Sequence, residues 1–200
     1  MNDQLQIEKW EGKAALDIST NENQAWSLLS EFFNLHLWLP GIATCEKVTG
    51  SESLPGSVRY CASPANESGE VFWAKEELMG FDPTERSFSY RVIESNMGFG
   101  EYVAHFRVLQ CTGDGCRLEW SFECEPVVGW TCEGLIGYLD LGLKGMAERL
   151  EKATNPDANT TNDKVNYETN GKLDDKANGD TNSKANGVVN SETNCEVNVA

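Results

Sequence analysis

The chain has 200 residues and a formal net charge of −16. No Lys or Arg cluster interrupts this acidic character, so we expect no nucleic acid and no membrane among its partners, because both present anionic surfaces. We also expect a cytoplasmic protein, because the chain has neither a basic and apolar leader nor an apolar run of about 20 residues that could span a membrane.

Composition divides the chain near Ala153. All six Trp and all eight Phe precede that residue, whereas the rest of the chain is rich in Asn and contains a single aromatic residue, Tyr167. A segment with so little to bury cannot offset the entropy cost of ordering its backbone. We therefore predict one folded domain over residues 1–153 and a disordered, Asn-rich, low-complexity tail over residues 154–200.

The start of the domain predicts one strand followed by two short helices. Leu5–Ile18 has strand character, and Ser19-x-x-Glu22 has the form of a capping box that opens a helix. A second apolar stretch begins at Phe32 and predicts another short helix, which Pro40-Gly41 ends.

From Ile42 onward, segments of strand character alternate with turn residues at hairpin spacing. This arrangement is typical of an antiparallel meander rather than of parallel crossover units. The predicted strands are Ala43–Val48, Ser57–Ala62, Val71–Phe81, Ser87–Glu94, Glu101–Gln110 and Cys116–Val127.

The last segment of the domain, Val128–Lys152, carries apolar residues at intervals of three and four. This spacing predicts one long amphipathic helix, the only element long enough to cover the apolar face of the sheet. We therefore predict an α+β fold in which a curved, seven-stranded antiparallel sheet wraps around the C-terminal helix. Such an arrangement commonly leaves an internal cavity, so we expect an apolar pocket for a small lipophilic molecule.

Alternation along the strands predicts which side chains face this pocket, because successive residues of a strand point to opposite faces. The inward faces are the apolar rows of the strands, and the last helix contributes its apolar stripe. The residues expected to bind the ligand are Phe72, Phe88, Tyr90, Tyr102, Trp120, Leu139 and Leu143.

Glu76 is the polar exception within an inward row that also holds Ala74 and Leu78. A carboxylate in apolar surroundings costs several kcal/mol unless it is paired or hydrogen-bonded. A buried Glu of this kind is therefore a candidate catalytic acid or base. The alternative is a bulge that reverses the alternation, or a strand end at which Glu76 meets water.

The sequence leaves open whether the Arg59 side chain points into the predicted pocket or into solvent. It alternates with the apolar Val58 and Tyr60, and this pattern places Arg59 in solvent. If the strand is turned the other way, the guanidinium group enters the pocket and pairs with Glu76.

No motif for a metal, a cofactor or covalent catalysis is found. The sequence has no phosphate loop, no G-x-S-x-G and no H-E-x-x-H, and His36 and His105 lack partners at metal spacing. The seven cysteines lack metal-type pairs, and in a reducing compartment we expect free thiols. We therefore expect the protein to use no metal and no cofactor.

Several collinear segments between Trp10 and Glu151 resemble a known family. They are QAWSLLSEFFNLHLWLP, GSVRY, FWAKEEL, FSYRV, GEYVAHF and RLEWSFECEPVVG. These segments are similar to plant proteins related to lachrymatory factor synthase, within the START/polyketide-cyclase (SRPBCC, helix-grip) superfamily. The resemblance implies the helix-grip fold.

The resemblance also implies roles for four residues. In the synthases, the arginine of VRY and the glutamate of FWAKE form an essential pair, assisted by pocket tyrosines. The matching positions are Arg59, Glu76, Tyr90 and Tyr102. The implied activity is a cofactor-independent isomerisation of a small unsaturated sulfenic acid to a thial S-oxide, in which Arg59 holds the sulfenyl oxygen and Glu76 relays a proton.

The superfamily also contains proteins without catalytic activity. The alternative is therefore a carrier or sensor of a plant metabolite or hormone, as in the abscisic-acid receptors. Against a receptor role, Ser53–Gly56 is similar to the receptor gate but precedes the GSVRY strand, and a His-Arg-Leu latch is missing.

Overall fold

The computed structural model describes residues 8–111, 113–155 and 191–199, the last of these as backbone. The elements are β1 (Glu8–Ile18), α1 (Glu22–Leu29), a 3-10 turn (Phe32–Asn34), α2 (Leu35–Trp38), β2 (Thr44–Thr49), β3 (Val58–Ala62), β4 (Trp73–Asp82), β5 (Ser87–Ser95), β6 (Tyr102–Gln110), β7 (Cys116–Cys124), α3 (Cys132–Thr154) and β8 (Ser191–Val199).

Antiparallel pairing joins the strands into one sheet in the order β2-β3-β4-β5-β6-β7-β1-β8. Register shifts interrupt the β4–β5 pairing between Lys75 and Glu76 and again between Leu78 and Gly80. Such bulges bend a strand and increase its twist, which curves the sheet. The predicted α+β fold is confirmed, with seven strands curved around the terminal helix and two short helices after β1.

β8 is an addition that the sequence analysis did not predict. It pairs with β1 from Glu8↔Val199 to Leu16↔Ser191 and so covers backbone groups that would otherwise form a sheet edge. For residues 191–199, the structure therefore differs from the predicted disorder. In the segment SETNCEVNV, Ser, Thr, Cys and Val alternate with Glu and Asn, as in a strand. The average composition of the tail does not show this local pattern. Residues 156–190 and 200 of the predicted tail lie outside the described residues.

Helix α3 packs across the concave face of the sheet and closes the core. Leu139, Leu143 and Leu150 are at most 2% exposed on its inner side. Close approach to β1 requires Gly12, because a Cβ atom there would lie 2.5 Å from the Phe122 ring and 2.7 Å from Ile136. No helix in the described part of the chain has the length and apolar character needed to cross a membrane.

The predicted inward rows of β5, β6 and β7 are buried as expected, except at Val92 of β5, which is partly exposed and lines the cavity described below. Their members share one face of the sheet and pack under α3. They are Phe88, Tyr90, Tyr102, Ala104, Phe106, Val108, Leu118, Trp120, Phe122 and Cys124.

Two helix starts differ from the prediction. Asn21, not Ser19, caps α1, and its Oδ1 accepts a hydrogen bond from the Asn23 amide at 2.9 Å. The Ser19 hydroxyl instead donates to Glu151 at 2.8 Å and ties the end of β1 to the last turns of α3. α3 itself begins at Cys132, because residues 128–130 form a loop in which Gly129 adopts a φ of 83°.

The expectation of free thiols holds for five cysteines and is wrong for one. Cys45, Cys61, Cys111, Cys116 and Cys124 are free. Cys132, at the start of α3, is disulfide-bonded. The expectation rested on the cellular compartment and on spacing along the chain, neither of which reports which sulfur atoms the fold brings together.

Candidate functional site

A cavity of about 560 Å³ lies between the concave face of the sheet and the first half of α3. Its volume falls in the range of about 300–1,000 Å³ that is typical of small-molecule sites. The sheet lines it with Cys61, Trp73, Ala74, Glu76, Tyr90, Val92, Tyr102 and Trp120, and the helices and loops add Leu35, Leu39, Gly41, Ile42, Ser63, Phe72, Asn96, Met97, Phe99, Val128, Gly129, Trp130, Leu135 and Tyr138.

Exposed apolar side chains mark the opening of the cavity. Phe72, Trp130 and Tyr138 are each about two-fifths exposed, and Val128 is 91% exposed. Phe72 belongs to the loop before β4, and Val128 and Trp130 belong to the loop before α3. An apolar rim of this kind favours entry of a lipophilic molecule.

The central polar feature is the ion pair between Arg59 and Glu76. The two residues are direct partners in the β3–β4 register, and the Arg59 Nε donates to the Glu76 Oε2 at 2.6 Å. Only 3% of the Arg59 side chain and 13% of the Glu76 side chain are exposed. Burial is the largest effect and lowers the pKa of the guanidinium group, but the Glu76 carboxylate together with Cys61, Cys45 and Tyr90 outweighs it, so that the pKa is raised.

The Arg59 guanidinium group also has a backbone hydrogen bond and contacts with two aromatic rings. Its Nη1 donates to the Phe32 carbonyl oxygen at 2.7 Å. Its Cζ lies 4.1 Å from the centre of the Phe32 ring and 5.1 Å from that of Tyr90. These contacts compensate the loss of hydration that burial of a cation requires.

The interpretation that placed Arg59 in solvent is wrong, and the opposite orientation holds. β3 is buried on both faces, since Val58 and Ala62 are as well covered as Arg59 and Cys61. The alternation of polar and apolar residues therefore does not show which face of this strand points inward. The cross-strand partner Glu76 decides the orientation, because its carboxylate compensates the buried cation.

Arg59 lies behind Glu76 and not on the wall of the large cavity. It borders a separate hollow of about 20 Å³ together with Phe88, while Glu76, Tyr90, Tyr102, Trp120 and Phe72 line the large cavity. Phe88 therefore does not occupy its predicted place on the cavity wall. Leu139 and Leu143 do not line the cavity either; they are buried in the core between the helix and the sheet.

Three tyrosines line the same cavity as Glu76, namely Tyr90, Tyr102 and Tyr138. Burial raises the pKa of Tyr90 and of Tyr102 well above the ordinary value, and the charge of Glu76 adds to both shifts. Burial raises the pKa of Tyr138 to about 12, again with a contribution from Glu76. All three phenols therefore stay protonated at neutral pH and can donate hydrogen bonds into the cavity.

We expect these phenols to resist alkaline titration in the folded protein. Because burial favours the neutral phenol, the buried Tyr90 and Tyr102 contribute stability that is present below the unfolded pKa of 10.0 and is lost as pH rises toward their higher folded pKa values. Tyrosinate absorbance between pH 10 and 12 should be lower in the folded protein than in denaturant. Tyr102→Phe should shrink that difference, whereas equal titration in the two states would contradict the burial of these groups.

Sequence reasoning missed Tyr138, Trp130 and Cys61. Tyr138 follows Leu135 by three residues on α3, so helical spacing could have found it. Trp130 lies in a loop, and no periodic signal marks it. Within the described ranges, no group of three His, Cys, Asp or Glu side chains is placed to hold a metal ion.

Comparison with known proteins identifies the domain. A family model described as polyketide cyclase / dehydrase and lipid transport matches residues 10–151. An uncharacterised protein from Bacillus thuringiensis is 25% identical with a TM-score of 0.59, over 70% of this chain and 98% of that chain. XoxI from Bacillus cereus is 24% identical with a TM-score of 0.57, over 72% of this chain and 94% of that chain.

A plant protein shares the fold at lower identity. Major latex-like protein 151 from Panax ginseng is 19% identical with a TM-score of 0.57, over 69% of this chain and 96% of that chain. The family match confirms the polyketide-cyclase part of the predicted resemblance and indicates a hydrophobic small molecule as the ligand of the cavity. The chain belongs to the polyketide cyclase / dehydrase and lipid transport family.

Proposed function

We propose that the protein binds a small lipophilic molecule in its cavity and isomerises it by proton transfer through Glu76. One observation carries the proposal: a carboxylate that Arg59 holds at 2.6 Å emerges into a largely apolar cavity beside three tyrosines. A positioned acid or base in such a site accelerates proton transfer by about 10²–10⁴.

The proposed substrate class is a small alkenylsulfenic acid, following the resemblance to the lachrymatory factor synthases. The Glu76 carboxylate would take the proton from the S–O–H group. The alkene carbon distal to sulfur would then take a proton from the Glu76 carboxyl group, and the C=C bond would become C=S. The product is the thial S-oxide, an isomer of the substrate, so the step requires no oxidant and no cofactor.

The tyrosines and Arg59 have different parts in this proposal. The Tyr90 oxygen accepts a hydrogen bond from the Trp120 Nε1 at 3.1 Å, and its hydroxyl group also interacts with that of Tyr102, so this pair of phenols would together donate to the substrate oxygen. Arg59 is occupied by Glu76 and by the Phe32 carbonyl group. It would therefore act as a positioning residue for Glu76, rather than hold the sulfenyl oxygen itself.

The test is turnover of an alkenylsulfenic acid generated in situ, with the thial S-oxide quantified by mass spectrometry. Glu76→Gln should lower the rate by about 10²–10⁴. The control is Glu77→Gln, because Glu77 is the next residue of β4 and pairs with Arg91 on the outer face. Full activity in Glu76→Gln would refute the proposal.

A second candidate is a carrier or sensor that binds a plant metabolite or hormone without changing it. The placement of Arg59 behind Glu76 favours it, because no cationic side chain lines the cavity in the described part of the chain. A carrier would bind the apolar dye N-phenyl-1-naphthylamine saturably, lose that binding in Ala74→Trp, which fills the cavity, and form no product from the sulfenic acid. Dye binding that survives Ala74→Trp would place the dye outside the cavity and count against this candidate.

A further inference from the structure

Two cysteines stand directly opposite each other on β2 and β3, at the wall of the cavity. Cys45 and Cys61 are register partners, and their Sγ atoms lie 3.5 Å apart. Directly opposed residues of antiparallel strands have Cα separations of about 4.5–5.5 Å, which lie within the range that a disulfide tolerates. A bond between these two sulfurs therefore needs little movement of the backbone.

The two thiols differ in access and in charge. Cys61 lines the cavity, whereas Cys45 lies behind it and is 9% exposed. The Cys61 thiol donates to the Cys45 sulfur, and this contact, against the opposing effect of burial, lowers the pKa of Cys45 to about 6. The charge of Arg59, the Leu35 backbone and the His36 imidazole act in the same direction.

The environment of Cys61 has the opposite effect. Its hydrogen bond to Cys45 and its burial raise the pKa of the Cys61 thiol, and the charge of Glu76 adds to this increase while Arg59 opposes it. The pair therefore loses its first proton more easily than an ordinary thiol does, and the remaining proton lies between two sulfur atoms that are 3.5 Å apart. A thiolate is the nucleophilic form of cysteine, and an adjacent thiol can resolve its oxidised product.

The other free cysteines lack this activation. Burial raises the pKa of Cys116 to about 12 and that of Cys124 to about 11. Burial also raises the pKa of Cys111, with a smaller contribution from Asp17. These thiols are internal references in the same chain, because they are free and are less easily ionised than Cys45.

We propose that Cys45 and Cys61 form a dithiol that a lipophilic hydroperoxide entering the cavity oxidises to a disulfide. Ionisation of the pair lets the Cys61 sulfur, which lines the cavity, attack the terminal peroxide oxygen while Cys45 holds the remaining proton. The O–O bond breaks, and the alkoxide leaves as the alcohol after taking that proton from Cys45. The Cys45 thiolate then attacks the sulfenic acid at Cys61, the S–O bond breaks, and the hydroxide that leaves takes up the proton released when the pair ionised, which gives water. Two thiols and one hydroperoxide give one disulfide, one alcohol and one water.

The apolar wall favours this class of oxidant. Phe72, Val92 and Tyr102 line the same cavity as Cys61 and can pack against the hydrocarbon part of an organic hydroperoxide. The proposal does not depend on the isomerisation proposed above, because neither sulfur takes part in that step.

The test uses the full-length, reduced protein and cumene hydroperoxide at neutral pH. After the reaction, the protein is unfolded, alkylated and digested with trypsin, which places Cys45 in residues 14–47 and Cys61 in residues 60–75. We expect a disulfide-linked pair of these peptides to form at least about tenfold faster than Cys111, Cys116 and Cys124 lose their alkylation, because the Cys45–Cys61 pair ionises more easily than these three thiols.

Two variants sharpen the test. Cys45→Ser should leave Cys61 as a sulfenic acid that dimedone traps, whereas Cys124→Ser should leave formation of the linked peptides unchanged. The wild-type peptide map decides the proposal even if Cys45→Ser does not fold. Alkylation of both Cys45 and Cys61 after Cys111 has been oxidised would overturn the proposal.

Discussion

Glu76→Gln is expected to lower the free energy of unfolding by about 3–5 kcal/mol, because it leaves the charge of Arg59 buried without its counter-ion. The structure supports a value in this range, since the Arg59 side chain is 3% exposed and the Glu76 side chain 13%. Of the groups that remain around Arg59, the Phe32 carbonyl group and two aromatic rings carry no net charge, and Cys45 and Cys61 each act on its charge less than Glu76 does. Urea unfolding at constant m-value would measure the change.

The outer face of the same strand offers a matched control. Glu77 pairs with Arg91 at 2.7 Å, but the Arg91 side chain is 52% exposed and that of Glu77 is 25% exposed. Glu77→Gln should therefore cost only about 0–1 kcal/mol. A double variant, Arg59→Met with Glu76→Leu, should recover most of the stability lost in Glu76→Gln, because it removes both buried charges.

A loss below about 1 kcal/mol in Glu76→Gln would show that water reaches the ion pair. That result would also weaken the proposed function, which requires a carboxylate held in a dry cavity. Stability and turnover are separate measurements, so a variant that is folded at the assay temperature but inactive would assign Glu76 a chemical role beyond its structural one.

Leu143→Ala is expected to lower the free energy of unfolding by about 2–5 kcal/mol. Leu143 is 0% exposed in the middle of α3, so its truncation leaves a void between helix and sheet. Since Leu143 does not line the cavity, the affinity for N-phenyl-1-naphthylamine should not change in the folded variant. Unfolding in urea and dye titration would measure the two quantities on the same sample.

Leu141→Ala is the control for this prediction, because Leu141 lies on the same helix and is 70% exposed. Its substitution should change stability by no more than about 0.5 kcal/mol. Weaker dye binding in Leu143→Ala, with little change in stability, would instead support the prediction from sequence that Leu143 contacts the ligand.

Arg59 interacts with groups that both proposals use. Its guanidinium group pairs with Glu76, and its charge also lowers the pKa of Cys45. Arg59→Met should therefore lower the turnover proposed for Glu76 and slow the formation of the linked peptides proposed for Cys45 and Cys61.

Much of the site could be predicted from alternation along the strands. The inward positions of Glu76, Tyr90, Tyr102 and Trp120 followed from it, because in β4 to β7 one face is mostly apolar and the other mostly polar. The same argument could not predict which way the Arg59 side chain points. Both faces of β3 are buried, so the pattern of polar and apolar residues does not distinguish them.

Helix α3 shows a second limit of prediction from residue patterns. Its apolar stripe correctly predicted that Leu139 and Leu143 face the sheet, but the stripe is longer than the cavity. Leu135 and Tyr138 lie over the cavity, and the later leucines lie over packed core. Spacing reports which side of a helix is buried, not whether the space opposite is filled.

By itself, the sequence determined the order of the elements, the faces of most strands and the amphipathic helix, because periodicity and turn residues act over short distances along the chain. Only the tertiary structure decided that Arg59 stands behind Glu76, that Cys45 meets Cys61 and that a tail segment pairs with β1. These features depend on the register between strands and on contacts between distant residues, which local patterns do not encode.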